Sequence, residues 1–137
     1  APDIKIKPTI NQVELNFFNP QPGLVKWSKE NGVLLEAYSP LGSNKQVGRA
    51  LKNPTVVEIA NELKINPAQV LISWQIQRGA VVLPKSVTPS RIEVNLQVFK
   101  LPDAQFQRLE KAAASHPPQR VVDPSKSWGV DVFEDGK

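Results

Sequence analysis

Cysteine and methionine are both absent from this 137-residue sequence, and it holds a single histidine and a single tyrosine. Without cysteine there is no disulfide and no thiolate zinc site, and His116 alone cannot assemble a metal centre, so metal chemistry is not expected. No apolar run reaches the length of a membrane helix and no basic-plus-apolar leader opens the chain. Neither a membrane partner nor secretion is therefore expected, and the expected location is the cytoplasm. The net charge of +4 is modest, its lysines and arginines are scattered, and aromatic residues are not interleaved with clustered cations. A nucleic-acid partner is accordingly not expected, and a local site for a small polyanion is the better use of the charge. The lack of methionine extends to position 1, which fits loss of an initiator before Ala1 and equally a chain whose upstream part has been removed.

What is present reads as one ordinary domain, with 40% hydrophobic and 22% charged residues, long enough to bury a core. Residues 1–8, with Pro2 and Pro8, read as a lead-in segment or an edge strand. Thr9 to Leu15 reads as a strand, Asn16 to Gly23 as a loop, and Leu24 onward as a helix ended by Gly32 at a left-handed position. Val33 to Ala37 is a second, nearly all-apolar strand, expected to be covered on both faces. A long loop from Tyr38 to Asn53 follows. Asn53-Pro54 and Asn66-Pro67 each open a helix. The first carries the stripe Val56, Ile59, Ala60 and Leu63; the second is apolar almost all round and closes at Gly79. A third strand precedes a helix predicted to run from Pro89 through Ile92, Leu96 and Phe99. A last helix opens at Leu101-Pro102-Asp103, and from Pro117 the periodicity dissolves into a tail. Strands alternating with helices predict an α/β fold with a parallel sheet. Three such strands leave two open edges and an uncovered apolar face, so the unit is expected to need a partner.

Chemistry concentrates in the stretch from Val81 to Arg91. A short apolar run stops at Pro84, and Thr88-Pro89 reads as an N-cap with proline at the first helical position. Lys85 and Ser86 lie between strand and helix, with Arg91 one turn in. Two cations, a hydroxyl and free helix N–H groups then converge at the C-terminal end of a strand, which suits an anion. The alternative is a strand-to-helix turn whose Lys and Arg serve only solubility.

Four ordered words, Asn11-Gln12-Val13-Glu14, Ala37-Tyr38-Ser39-Pro40-Leu41-Gly42-Ser43, Pro67-Ala68-Gln69-Val70-Leu71-Ile72 and Leu83 to Ile92, resemble the C-terminal half of the aldo-keto reductases, of the fungal type. The resemblance covers roughly Ile6 to Phe133. It implies a partial (β/α)8 barrel in which the three strands correspond to the sixth, seventh and eighth. Auxiliary helices would follow the seventh strand and the eighth helix. Residues 1–116 would form the C-terminal half of the barrel, and residues 117–137 a tail over the substrate mouth. It further implies NADP(H) as cofactor and an aldehyde or ketone as substrate of the intact enzyme.

By the same resemblance, Gln12 matches the residue that hydrogen-bonds the nicotinamide carboxamide, and Tyr38 the aromatic on which the ring stacks. Ser39, Leu41 and Ser43 match the pyrophosphate loop. Lys85, Ser86 and Arg91 match the 2′-phosphate pocket, with Val87 and Thr88 contributing through the turn, and Asn95 matches an adenine contact. Taken without the family, Tyr38 is equally a core aromatic at a strand end, and Gln12 a polar residue satisfying local backbone. The family's acidic residue before Asn95 is replaced by Val94, with Glu93 shifted by one. The family's catalytic Asp, Tyr, Lys and His have no counterpart in these residues, so the chain alone is expected to be inactive. Its partner would be the missing N-terminal half of the barrel or a second copy of the chain. The alternative is a non-catalytic half-barrel that self-associates or binds a nucleotide or protein partner.

Overall fold

A computed structural model describes residues 5–43 and 45–133, with the backbone alone for Lys45. Three parallel strands, β1 (Ile10–Glu14), β2 (Leu34–Tyr38) and β3 (Ala80–Val82), lie side by side in sequence order. Helix α1 (Pro22–Asn31) joins the first two; α2 (Lys45–Leu51), α3 (Pro54–Leu63) and α4 (Pro67–Gln77) join the second to the third. Helices α5 (Pro89–Leu96), α6 (Asp103–Ala114) and the short α7 (Ser125–Trp128) complete the described chain. Among the described residues no helix is long and apolar enough to cross a membrane. The lead-in segment expected at residues 1–4 lies outside the described residues, and residues 5–8 form no strand.

The helix starts follow local chemistry. Asn53 accepts the Thr55 N–H at 3.1 Å, and Asn66 and Gln69 exchange two bonds in a capping box, each helix beginning with proline. Helix α1 begins two residues before the expected Leu24, because Gln21 turns left-handed and delivers Pro22 to the first helical position. It ends as expected at Gly32, whose φ is 59°. The long loop after β2 contains α2, which residue patterning does not predict and which lies in the loop where the resemblance implies an auxiliary helix. Helix α5 stops at Leu96, short of the expected Phe99, because side chains of α4 capture the following backbone: Ser73 Oγ accepts the Phe99 N–H and Gln77 Oε1 the Leu101 N–H, both at 3.0 Å. In the aperiodic tail, Asp123 Oδ1 accepts the Ser125 N–H at 3.0 Å and starts the single turn of α7.

The two faces of the sheet differ. Leu15, Leu35, Ala37 and Ala80 form a buried cluster with Val13 and with Leu24 and Val25 of α1. On the opposite face Ile10, Leu34 and Val81 remain 49%, 41% and 42% exposed. The expectation that β2 and β3 are covered on both faces is therefore corrected: within this chain every crossover packs on one face. A second, larger core joins Phe17 and Phe18 to α3, α4 and α6 through Val56, Ile59, Val70, Leu71, Trp74 and Leu109.

At its centre Arg78 is buried, with Nε 2.9 Å from Glu110 Oε1. One terminal nitrogen donates to Gln75 Oε1 and the other to the Pro20 carbonyl, while the guanidinium carbon lies 4.7 Å from the Trp74 ring centre. Trp74 Nε1 donates to the same Glu110 oxygen at 2.7 Å. Burial pushes the Arg78 pKa down and Glu110 opposes that shift, so the charge is kept by its partner. Arg78→Ala is expected to lower the unfolding free energy by about 2 kcal/mol, the cost of leaving buried acceptors at Gln75 and Pro20 without their donor. A urea midpoint within error of the wild type would contradict this role.

Candidate functional site

The strand register decides which side chains share the open face. Gln12 pairs with Glu36 and Glu14 with Tyr38, so all four leave the sheet on one side, at the C-terminal half of the strands. Gln12 Nε2 donates to Glu36 Oε1 at 3.1 Å. Tyr38 is half-buried, and its pKa is raised by burial and then by the nearby Glu14 carboxylate, with Arg120 opposing.

After Tyr38 the chain turns sharply. Ser39 is left-handed at φ 48°, its carbonyl accepts the Gly42 N–H at 2.8 Å, and its hydroxyl lies 2.9 Å from that of Ser43. Gly42, at φ 81°, packs so closely on α2 that a Cβ would sit 2.9 Å from Gln46 Cβ. Only glycine suits that position. This turn forms one wall of a cavity of about 440 Å³, with Leu83, Pro84 and Lys85 opposite.

Lys85 also lines an adjoining groove of about 450 Å³ with Ser86, Ser90, Arg91 and Asn95. Leu41 and Val47 also border both cavities, so the two adjoin. Lys85 and Arg91 are exposed and form no ion pair with the described residues. Ser86 Oγ accepts the Thr88 N–H at 3.2 Å, while Thr88 makes no side-chain cap. Thr88 stands at the N-cap with Pro89 at the first helical position, as expected, and its carbonyl rather than its hydroxyl accepts the first helical N–H groups. Val87 and Thr88 do not line the groove, and Val87 is 80% exposed.

The structure therefore brings Ser39, Leu41, Ser43, Lys85, Ser86, Arg91 and Asn95 to two adjoining cavities, while Gln12 and Tyr38 share the open sheet face and line neither. Sequence reasoning missed the far wall, made by Asn66, Pro67 and Ala68 at the start of α4 and by Val47 and Leu51 of α2. The Asn66-Pro67 start signal located that helix end, but nothing local showed that it faces α5. Val94, at the position noted for departing from the family, supplies apolar wall.

The Aldo/keto reductase family model matches residues 3–114. An aldehyde reductase of Saccharomyces cerevisiae is 41% identical over 129 residues, covering 94% of this chain and 40% of that protein. A glycerol 2-dehydrogenase (NADP(+)) of Hypocrea jecorina is 43% identical over 133 residues, covering 94% and 42%. Among solved structures, Bombyx mori aldo-keto reductase in complex with NADP superposes with a TM-score of 0.81 at 28% identity, over 94% of this chain and 44% of that one. Aldose reductase from Giardia lamblia gives 0.82 at 31%, over 96% and 45%. The chain belongs to the aldo/keto reductase family, and it spans about two fifths of the length of the curated relatives it matches.

Tyr38 is the chain's only tyrosine, so the absorbance difference between wild type and Tyr38→Phe isolates its ionisation. That titration is expected above the ordinary tyrosine range of about 10. Because the folded value is raised, the phenol favours folding below that range, and this contribution is lost as pH climbs through the folded pKa. Glu14→Gln is expected to bring the titration down, since it removes a raising charge; an unchanged or higher value would contradict the assignment.

Proposed function

We propose that this chain is the cofactor-binding half of an NADPH-dependent aldo-keto reductase, its strands corresponding to the sixth, seventh and eighth of a (β/α)8 barrel. The observation that carries this reading is the pair of adjoining cavities running from Ser39 to Arg91, ending on two cations without acidic partners among the described residues. Its shape suits an extended dinucleotide, and its charge suits the phosphorylated form. Supporting it, the named relatives include an NADP(+)-dependent dehydrogenase and a reductase solved with NADP.

When bound, the nicotinamide supplies the hydride that reduces a carbonyl to an alcohol. This chain's residues hold and orient it. Tyr38 offers the ring face, Gln12 the amide contact, and Ser39, Leu41 and Ser43 the turn beside the pyrophosphate. Lys85, Ser86 and Arg91 hold the 2′-phosphate, with Val87 and Thr88 shaping the turn, and Asn95 meets the adenine. The chain's single tyrosine is engaged at the stacking position, and His116 packs 5.8 and 5.1 Å from the Phe17 and Phe18 ring centres. The proton donor that carbonyl reduction requires therefore comes from outside this chain, and residues 117–133 border the substrate mouth. The binding test is Lys85→Met and Arg91→Ala: each is expected to weaken NADPH about 10- to 100-fold, the loss of one charge-assisted contact, with little change for NADH. Equal losses for both nucleotides would reject the phosphate pocket.

The uncovered face favours a partner. Ile10, Leu34 and Val81 on the sheet, and Ile92 and Leu96 on α5, are exposed apolar residues that a barrel interior and its helical ring would cover. The partner that fits is the N-terminal half of the barrel; a second copy of this chain, giving a non-catalytic half-barrel dimer, is the other reading. Light scattering on the isolated chain distinguishes them: a stable dimer supports self-association, and restoration of reductase activity by an added N-terminal half supports the divided barrel.

A further inference from the structure

One buried acid on the open sheet face is left unused by the cofactor reading. Glu14 ends β1 and is 3% exposed. Its carboxylate accepts the Val121 N–H at 2.9 and 3.0 Å, the Val122 N–H at 3.0 Å and Asn16 Nδ2 at 3.1 Å. A buried carboxylate is costly unless its lone pairs are filled, and here they are filled chiefly by backbone from the far end of the chain. The same segment is held on its other side: the Gln119 N–H donates to the Phe18 carbonyl at 2.8 Å, Gln46 Nε2 to the Gln119 carbonyl at 3.2 Å, and an Arg49 terminal nitrogen to Gln119 Oε1 at 3.0 Å. Gln46 and Arg49 lie on α2, and Gln46 is the residue against which Gly42 is packed. Residues 119–122 thus form a strap between the end of β1 and the helix that backs the Ser39–Ser43 turn.

We infer that Glu14 is a positioning residue: its carboxylate seats the 119–122 strap across the mouth beside Tyr38 and ties that seating to the turn assigned to the pyrophosphate. Two further contacts fold the rest of the tail onto the strap. The Arg120 guanidinium lies 3.8 Å from the Phe133 ring centre, and Ser125 Oγ accepts the Val132 N–H at 3.1 Å. A carboxylate grips backbone N–H groups, so the strap is held whatever side chains residues 121 and 122 carry, and those side chains are left to shape the mouth. The seating stands on the hydrogen bonds alone; its consequence for turnover rests on the cofactor reading.

The test combines amide hydrogen exchange on this chain, without nucleotide, with steady-state kinetics on the chain joined to the N-terminal half that supplies the proton donor. Glu14→Ala is expected to speed exchange at Val121 and Val122 by about tenfold or more, leaving the β1–β2 ladder protected. Glu14→Gln, which keeps one acceptor oxygen, should fall between. The KM for the carbonyl substrate is expected to rise several-fold in Glu14→Ala while kcat with a small aldehyde is kept, a split that general destabilisation would not produce. Should Glu14→Ala fail to fold, Val121→Pro removes a donor from the tail side and must speed exchange at Val122. Wild-type exchange rates at the strap, or protection lost evenly through the sheet, would overturn the latch. Faster exchange at unchanged KM would overturn its coupling to turnover. A failure of the cofactor reading would appear separately, as wild-type protein that does not bind NADPH.

Discussion

Parallel pairing of three strands in sequence order is the constraint on which the other features depend. Each parallel connection must leave the sheet and return, and here every return runs over the face of Leu15, Leu35, Ala37 and Ala80. A doubly wound sheet would have placed helices on both sides. With all crossovers on one side, the other face is free to carry Gln12, Glu14, Glu36 and Tyr38, and the strand ends open directly into the turn and groove that follow. The same constraint leaves Ile10, Leu34 and Val81 without cover in this chain.

Two buried charges hold this arrangement, and they solve different problems. Arg78 joins α4, α6 and the loop after β1 through Glu110, Gln75 and the Pro20 carbonyl. It ties together helices already adjacent and fills a core that also contains Trp74. Glu14 instead grips a segment that has no strand or helix of its own. One charge fixes the scaffold, the other a surface strap.

Much of this organisation was legible in the chain. The Asn-Pro pairs gave two helix starts because a capping side chain and a proline act within a few residues of each other, and Pro84, Pro89, Lys85, Ser86 and Arg91 marked the groove for the same reason. Residue patterning alone does not show helix α2, because seven residues with Gly48 at their centre carry too little apolar periodicity to stand out. Thr88 and Pro89 mark the start of α5 for the same local reason as the Asn-Pro pairs, although the Thr88 hydroxyl makes no capping bond. The far wall of the groove, the facing of Gln12 and Tyr38, and the role of Glu14 all depend on register or on contacts across long stretches of chain. No local pattern encodes those.

The bond between Glu14 and Val121 spans 107 residues, one of the longest closures in the molecule. Contacts of such separation form late, after the elements between them have condensed. During synthesis the strand ends, the Ser39–Ser43 turn and the groove beside α5 all emerge before the strap does. The groove is thus assembled as an open trough, and the strap closes on Glu14 only after residues 119–122 have left the ribosome.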